Sequence, residues 1–244
     1  MYHPERGASL KMDWPKVFKM WAQSDEYKAK VKEAKKIIEN AFKMYKKPYV
    51  AFSGGKDSTC MLHLVLQQKP DVMVYHWDYG PYLMPRAIEH EVVSNMIKLG
   101  AKNYLVETSD RYKSRENTGI WYKDFFGRVT KRLIREGYDA VFVGIRKEES
   151  IPRKLRINAK RSLSAINEVW PLQDWSWKDV WAYIFANNLP YPSIYDKYTA
   201  LLSWDKARFV TFFDKEFENL GSINVDGVLM WRWRNEEVFK QKRL

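Results

Sequence analysis

Between Asp25 and Tyr45 apolar residues return at helical spacing. Val31, Ala34, Ile37, Ile38, Ala41, Phe42 and Tyr45 fall on one stripe, with lysines opposite. Pro48 ends that helix, since its ring removes an N–H and crowds the preceding turn. The pattern then changes: Tyr49-Val50-Ala51-Phe52 reads as a short buried strand, two glycines follow, and Ser58 to Gln68 reads as a helix. Asp71 to Trp77 predicts a second strand, about Arg86 to Leu99 a helix, and Asn103 to Glu107 a third strand. Trp121 to Glu136 looks helical. Ala140-Val141-Phe142-Val143 is the cleanest apolar run, and a short strand near Val169 to Leu172 precedes a helix from about Ser176 to Asn187. Strands alternating with helices predict an α/β fold, a parallel twisted sheet of about five strands with helices on both faces. From Pro190 onward the chain reads as irregular and aromatic. The expected organisation is an N-terminal helical segment (1–47) packed on a main domain (48–195), followed by a C-terminal extension (196–244).

Composition bounds the function more than the fold. The chain has 244 residues, 45% of them hydrophobic, enough for one sizeable core. No stretch approaches the ~20 uninterrupted apolar residues of a membrane span, and the first residues lack the apolar run of a secretory signal. The single cysteine, Cys60, excludes an internal disulfide and an all-cysteine zinc or iron–sulfur site. No zinc, no iron–sulfur cluster, no membrane and a cytoplasmic setting are therefore expected. The formal charge of +12 favours polyanionic partners, nucleotides or nucleic acid. Part of the excess is local, in Arg146, Lys147, Arg153, Lys154, Arg156, Lys160 and Arg161. The lysines from Lys28 to Lys47 read more simply as a solvated helix face.

Three loops that follow strands carry candidate chemistry, at the sheet edge where such folds bind ligands. The first is Ser53-Gly54-Gly55-Lys56-Asp57-Ser58. Its glycines let backbone N–H groups crowd against phosphate oxygens, and the following helix adds its positive end. Ser53 and Ser58 can donate hydroxyl hydrogens, Lys56 offers a cation, and Asp57 can help hold a magnesium ion on the phosphates. The spacing is not that of a Walker loop. The second loop places Asp78 after the second strand, either as an acceptor for a ribose hydroxyl or metal, or as the head of a turn closed by Gly80. His76, inside that strand, reads as packed. The third loop, Gly144-Ile145-Arg146-Lys147-Glu148-Glu149-Ser150-Ile151-Pro152-Arg153, offers two anion ligands in Arg146 and Arg153, whose planar forks donate in pairs. Glu149 can hold one of them in place.

The first loop resembles the SGGxDS signature of the PP-loop ATP pyrophosphatases. The surrounding chain resembles the phosphoadenosine phosphosulfate (PAPS) reductase and sulfate adenylyltransferase small-subunit branch of that superfamily. Asp78 falls where that branch carries an acidic residue, and Gly144 to Arg153 is similar to its G-x-R-x-x-E element. Pro171-Leu172-Gln173-Asp174-Trp175, Asp179-Val180-Trp181 and Leu189-Pro190-Tyr191 follow in the branch's order. The aromatics Trp175, Trp177, Trp181 and Tyr183 there read as packing. The resemblance covers roughly Tyr49 to Tyr195. It implies the adenine nucleotide alpha hydrolase-like, Rossmann-like fold, and ATP or a close adenine nucleotide as ligand.

The pattern also departs from that branch. Its reductases use a cysteine nucleophile near the C-terminus, and nothing after Cys60 is a cysteine. Cys60 itself falls inside the helix after the first loop, where a thiol is packed and inert. The tail, with Gly221-Ser222-Ile223-Asn224 and Trp231-Arg232-Trp233-Arg234, matches neither reductase nor adenylyltransferase. The leading expectation is adenylyl transfer from magnesium-ATP to an oxyanion or carbonyl acceptor, with Lys56, Asp57 and Arg146 as catalytic residues. One alternative is a sulfonucleotide reductase relative lacking its own catalytic cysteine, served by a thiol-donating partner. Another is a nucleic-acid modification or defence component that uses the loop on DNA or RNA. A GTPase-like protein partner is implied only by the adenylyltransferase resemblance, and oligomeric state is open.

Overall fold

The computed structural model describes residues 12–78, 80, 84–108, 125–163, 165–201 and 203–209. Helices α1 (Trp14–Trp21) and α2 (Asp25–Met44) lead into strand β1 (Pro48–Phe52), α3 (Lys56–Leu66) and β2 (Val74–Trp77). Then come α4 (Arg86–Lys98), β3 (Tyr104–Glu107) and, after a wide lead-in turn at Phe125–Val129, α5 (Thr130–Arg135). Next are β4 (Ala140–Val143), a short turn of helix at Lys147–Glu149, α6 (Ile151–Asn158), β5 (Asn167–Val169), α7 (Trp177–Ala186) and α8 (Ile194–Leu201).

The strands form one five-stranded sheet in the order β3-β2-β1-β4-β5, every neighbour parallel. The α/β reading from the sequence is therefore correct. Val50 sits opposite both Val74 and Phe142, so β1 runs down the centre. Successive side chains of a strand point to opposite faces. Val50, Phe52, Val74 and Phe142 accordingly join the larger core under α2, α3 and α7, whereas Tyr49, Tyr75 and Val141 join the smaller one with Val129 and Leu133. Burial on both faces is what makes these strands continuous apolar runs. Each fully buried Val or Phe contributes about 1.5–3 kcal/mol.

Three elements differ from the sequence expectation. Helix α1 was not foreseen; its Phe18 is buried in a cluster with Trp177, Trp181, Phe185 and Trp204 from the far end of the described chain. Residues Ile151–Asn158, expected as part of a loop, form α6, started by Ser150, whose side chain accepts from the Arg153 N–H. Strand β5 lies at Asn167–Val169, because Trp170 to Gln173 already turn toward α7 (Gln173 N–H to Trp170 carbonyl, 3.2 Å). The expected boundary at 195 falls inside α8. The tail beyond Phe209 lies outside the described residues, as do Trp121 to Asp124 of the expected helix. Among the described residues, no helix is long and apolar enough to cross a membrane.

Candidate functional site

From β1 the chain order runs outward to β2 and β3 on one side and to β4 and β5 on the other. Helices that cross over in opposite senses part above β1 and β4, leaving a crevice at their carboxyl ends. The loop after β1 and the loop after β4 are therefore neighbours by topology. They also touch: a Cβ added to Gly144 would come within 2.9 Å of the Ser58 Cα and N. Glycine is required there because the third loop lies directly on the first turn of α3.

The first loop is shaped by its own hydroxyls. Ser58 Oγ donates to the Gly55 carbonyl (2.9 Å) and accepts from Ser53 Oγ (3.1 Å) and Ser53 N–H (3.3 Å). Gly54 takes φ +80°, and a Cβ on it would strike Val92 at 2.6 Å. That conformation turns the chain sharply from β1 into α3, and the Gly55 N–H is directed at Ser53 Oγ (3.5 Å).

Lys56, Asp57 and Arg146 meet beneath this turn. Arg146 Nε donates to Asp57, and Lys56 Nζ lies 3.3 Å from the other Asp57 oxygen. Lys56 and Arg146 are almost completely buried. Burial pushes the Lys56 ammonium down; Asp57 pulls it up again and Arg146 opposes that, leaving it lowered. Burial alone would raise Asp57, but Arg146 and Lys56 outweigh it and hold the carboxyl well below its usual range. Arg146 also reaches the half-exposed Glu148 and the Trp175 carbonyl (both 3.3 Å). Glu149 accepts from the Arg146 backbone N–H (2.9 Å) and pairs with Arg153. Two buried cations thus lean on one partly buried carboxylate.

The structure brings Ser53 to Ser58, Gly144, Arg146, Glu149 and Arg153 to one edge of the sheet. Asp78 reaches that edge at the end of β2, but its oxygens are taken by the Arg86 guanidinium (2.7 and 2.8 Å) and the Gly80 N–H (2.7 Å). These bonds favour the turn over a ribose acceptor. As a magnesium ligand Asp57 does not fit: each of its oxygens faces a cation, and a dication there would be repelled by both. Among the described residues, no three metal-ligating side chains gather to replace it. The basic third segment is largely paired locally, Lys147 with Asp174 (2.7 Å) and Arg156 with Glu168 (2.6 Å).

Cys60 is fully buried in α3, its thiol 3.5 Å from the Val180 carbonyl and pushed well above the usual thiol range by burial and by Asp57. His76 is packed, as expected, with Nδ1 facing the Phe52 carbonyl (2.8 Å) and Nε2 facing Glu89 (2.6 Å), an arrangement that raises the imidazolium above its ordinary value despite burial. Sequence reading missed Glu89, and it missed Tyr195, whose hydroxyl accepts from the Lys56 N–H at 3.0 Å across 139 positions. Arg208 and Phe209 were missed with it; Arg208 donates to the Glu149 carbonyl (3.0 Å) and Phe209 packs over Gly55. The motif run through Tyr191 signals family likeness only, and no spacing in the chain points from Tyr195 back to the loop.

Comparison with known proteins places the chain among relatives. The family described as Phosphoadenosine phosphosulfate reductase domain matches residues 47–226. An uncharacterized protein of Methanocaldococcus jannaschii is 30% identical over 174 residues, 66% of this chain and 36% of that protein. A phosphoadenosine 5'-phosphosulfate reductase of Xanthomonas axonopodis pv. citri is 28% identical over 158 residues, 59% of this chain and 64% of the relative. An adenosine 5'-phosphosulfate reductase of Bacillus cytotoxicus is 27% identical over 198 residues, 75% of this chain and 81% of the relative. The chain thus spans about a third of the archaeal relative's length and just under two thirds of the Xanthomonas one.

Proposed function

The chain belongs to the phosphoadenosine phosphosulfate reductase domain family, and from that premise we propose that it is an enzyme that seats an adenine nucleotide on the Ser53–Ser58 loop and transfers the adenylyl group of ATP to an oxyanion or carbonyl acceptor. One observation carries the reading: Lys56 and Arg146, both buried, converge on the carboxylate of Asp57 at the start of α3, with only the half-exposed Glu148 also reaching Arg146. Buried cations are costly even when paired, and an anion arriving at the loop offsets part of that cost. In the reaction the acceptor oxygen attacks the α-phosphorus, the bond to the β-phosphate oxygen breaks, and pyrophosphate leaves with the electron pair. Gly54, Gly55 and Ser58 cradle the leaving pyrophosphate, while Lys56 and Arg146 neutralise its charge. Asp57 acts by holding those two cations in place. Arg153, kept beside the loop by Glu149, binds the acceptor or an outer phosphate. Positioning and charge neutralisation supply the catalysis, so an acceptor that is already anionic needs no general base. No step is assigned to a metal held by the protein.

The names of the relatives favour a second reading, reduction of an adenylylated sulfate. That chemistry needs a thiol nucleophile, and the buried Cys60 is the chain's only cysteine, so the thiol would come from a partner protein. One assay separates the two. The protein is incubated with magnesium-ATP and sulfate or carboxylate acceptors while pyrophosphate is followed, and in parallel with adenylyl sulfate or phosphoadenylyl sulfate plus a dithiol while sulfite is followed. Pyrophosphate release is expected. Sulfite release without any pyrophosphate would overturn adenylyl transfer in favour of reduction. A tRNA or DNA affinity that falls steeply with salt would point instead to a nucleic-acid acceptor.

A further inference from the structure

Residues Ser203 to Phe209 form a strap across the first loop. Phe209 Cβ lies 3.4 Å from where a side chain on Gly55 would begin, and the Tyr195 hydroxyl lies 3.6 Å from the same point. The strap is held at both ends: the Trp204 carbonyl accepts from Trp181 Nε1 (3.1 Å), and Arg208 donates to the Glu149 carbonyl (3.0 Å). Tyr195 stands between strap and loop. Its ring is buried, edge-on to Trp181 at 5.3 Å and 6.2 Å from the Phe209 ring. Its oxygen accepts from the Lys56 N–H at 3.0 Å, and the Phe209 backbone N–H is turned toward the same oxygen.

Lys56 opens α3, so its N–H is one of the donors with no partner inside the helix. Such donors are those a phosphate takes at a helix start. The phenol oxygen therefore occupies a position of the kind a phosphate oxygen would fill. It is not a temporary occupant, because its ring cannot withdraw without shifting Trp181, α8 and the strap together. A phenol that accepts backbone N–H groups still has its own hydrogen to give, and among the described residues that hydrogen has no acceptor. Burial and the nearby Asp57 push the phenol well above its usual range, so it stays protonated and remains a donor.

We propose that Tyr195 is a substrate-contacting residue of this site, which fixes the Lys56 amide with its oxygen and donates its hydroxyl hydrogen to a tetrahedral oxyanion lying on the loop. The proposal rests on the nucleotide reading of the loop and adds to it a donor from outside the motif. The oxyanion is a phosphate of the nucleotide or the sulfate of a sulfonucleotide; the two share this chemistry. Tyr195 also makes the strap part of the site, since the same oxygen faces Lys56 and Phe209.

The test is Tyr195→Phe, which keeps the ring and removes only the hydroxyl. Binding of ATP, inorganic pyrophosphate, adenylyl sulfate and adenosine is measured by calorimetry on the full chain. ATP and pyrophosphate affinities should each fall about tenfold, the size of one hydrogen bond to a charged group, while adenosine affinity stays the same. A similar loss for adenylyl sulfate but not for pyrophosphate assigns the hydrogen to the sulfate. Unchanged affinities for all the anions make Tyr195 only a cap for Lys56 and overturn the proposal. Tighter anion binding shows that the phenol competes with the ligand and also overturns it. If the variant does not fold, 3-fluorotyrosine at position 195 of the otherwise wild-type chain reads the same contact. Its fluorine resonance should move with pyrophosphate and not with adenosine; indifference to both refutes the contact. A wild-type protein that binds none of the anions would refute the nucleotide reading itself, and that outcome is distinct from a silent Tyr195→Phe.

Discussion

Two carboxylates in the first turns of helices, Asp179 in α7 and Asp57 in α3, stand in opposite situations. Asp179, fully buried near the start of α7, accepts from Trp21 Nε1 (2.8 Å), Lys30 Nζ (2.8 Å), Ser176 N–H (2.7 Å) and Ser176 Oγ (2.8 Å). It ties α1, α2 and α7 together, and the single cation in the cluster is shared with a second carboxylate, Glu26 at 3.0 Å. Asp57 is the reverse, one carboxylate shared by two buried cations. The first cluster is saturated by the protein itself and reads as a structural staple. The second sets two buried cations on Asp57 and on the half-exposed Glu148 at the edge of the crevice, which suits it to receive an anion. Burial alone does not separate them; the balance of donors and acceptors does.

The largest effect that would break this contrast is on ligand binding. Lys56→Met keeps the stem and removes the charge. It should lower ATP turnover about a hundredfold, while the urea midpoint without ligand stays close to wild type, because Asp57 keeps its pair with Arg146. A fall in stability of the kind expected for a staple would make the two clusters equivalent. The opposite mutation sharpens the point. Asp179→Ala strands Trp21, Lys30 and the Ser176 N–H without their acceptor and should cost about 3 kcal/mol in urea unfolding, with ATP affinity within about twofold of wild type.

A third arrangement lies between these extremes. His76 and Glu89 are one cation and one carboxylate, both buried and 2.6 Å apart. Burial pulls the His76 imidazolium down, but the bond to and charge of Glu89, the Phe52 carbonyl and Asp78 raise it above its usual 6.5. A raised cation stabilises the fold fully below the unfolded value near 6.5, and that contribution is lost as pH rises through the folded value. Wild-type urea midpoints should therefore decline as pH is raised past 6.5. In Glu89→Gln the decline should shift to lower pH or vanish. An identical pH profile in the two proteins would show that the pair contributes nothing to stability. Asp57 and Asp179 act in the other direction, since both are held below the ordinary carboxyl value of 3.8. Their contribution is present above that value and is lost as pH falls through the folded values.

What could be read from the chain follows the same division between local and distant causes. Helix α2 and strands β1 and β4 were legible because their burial is periodic or continuous along a few residues. Helix α1 carries a local signal of its own, with Asp13 as cap, Pro15 in the first turn and Trp14, Val17, Phe18 and Trp21 at helical spacing; what the chain does not show is that Phe18 packs against Trp181 and Trp204. Helix α6 was hidden for another reason: Ile151 and Leu155 on it are exposed and Ile157 alone is buried, so it carries no apolar stripe. At the site, the order of Ser, Gly, Lys and Asp was legible as loop chemistry. The Arg146–Asp57 pair spans 89 positions, and it changes what Asp57 can do, from a metal ligand to a holder of cations. Tyr195 and the strap lie beyond any motif.

The smallest expected effect belongs to Cys60, and it tests whether the two clusters are linked. Cys60 lies one turn into α3 from Lys56 and Asp57, and its thiol faces the carbonyl of Val180, the residue after Asp179. It is thus the physical bridge between the unsaturated cluster and the staple. Cys60→Ser keeps a donor for that carbonyl at a small cost in packing. We expect stability to fall by about 1 kcal/mol and turnover with wild-type cofactors to stay within about twofold. Two different departures would be informative. A change in ATP affinity that follows the stability loss would mean that the staple and the loop move together through α3 and α7, so that their independence is wrong. Complete loss of turnover with fold and nucleotide binding intact would make the thiol a reagent despite its burial, and would reverse the preference for adenylyl transfer over reduction.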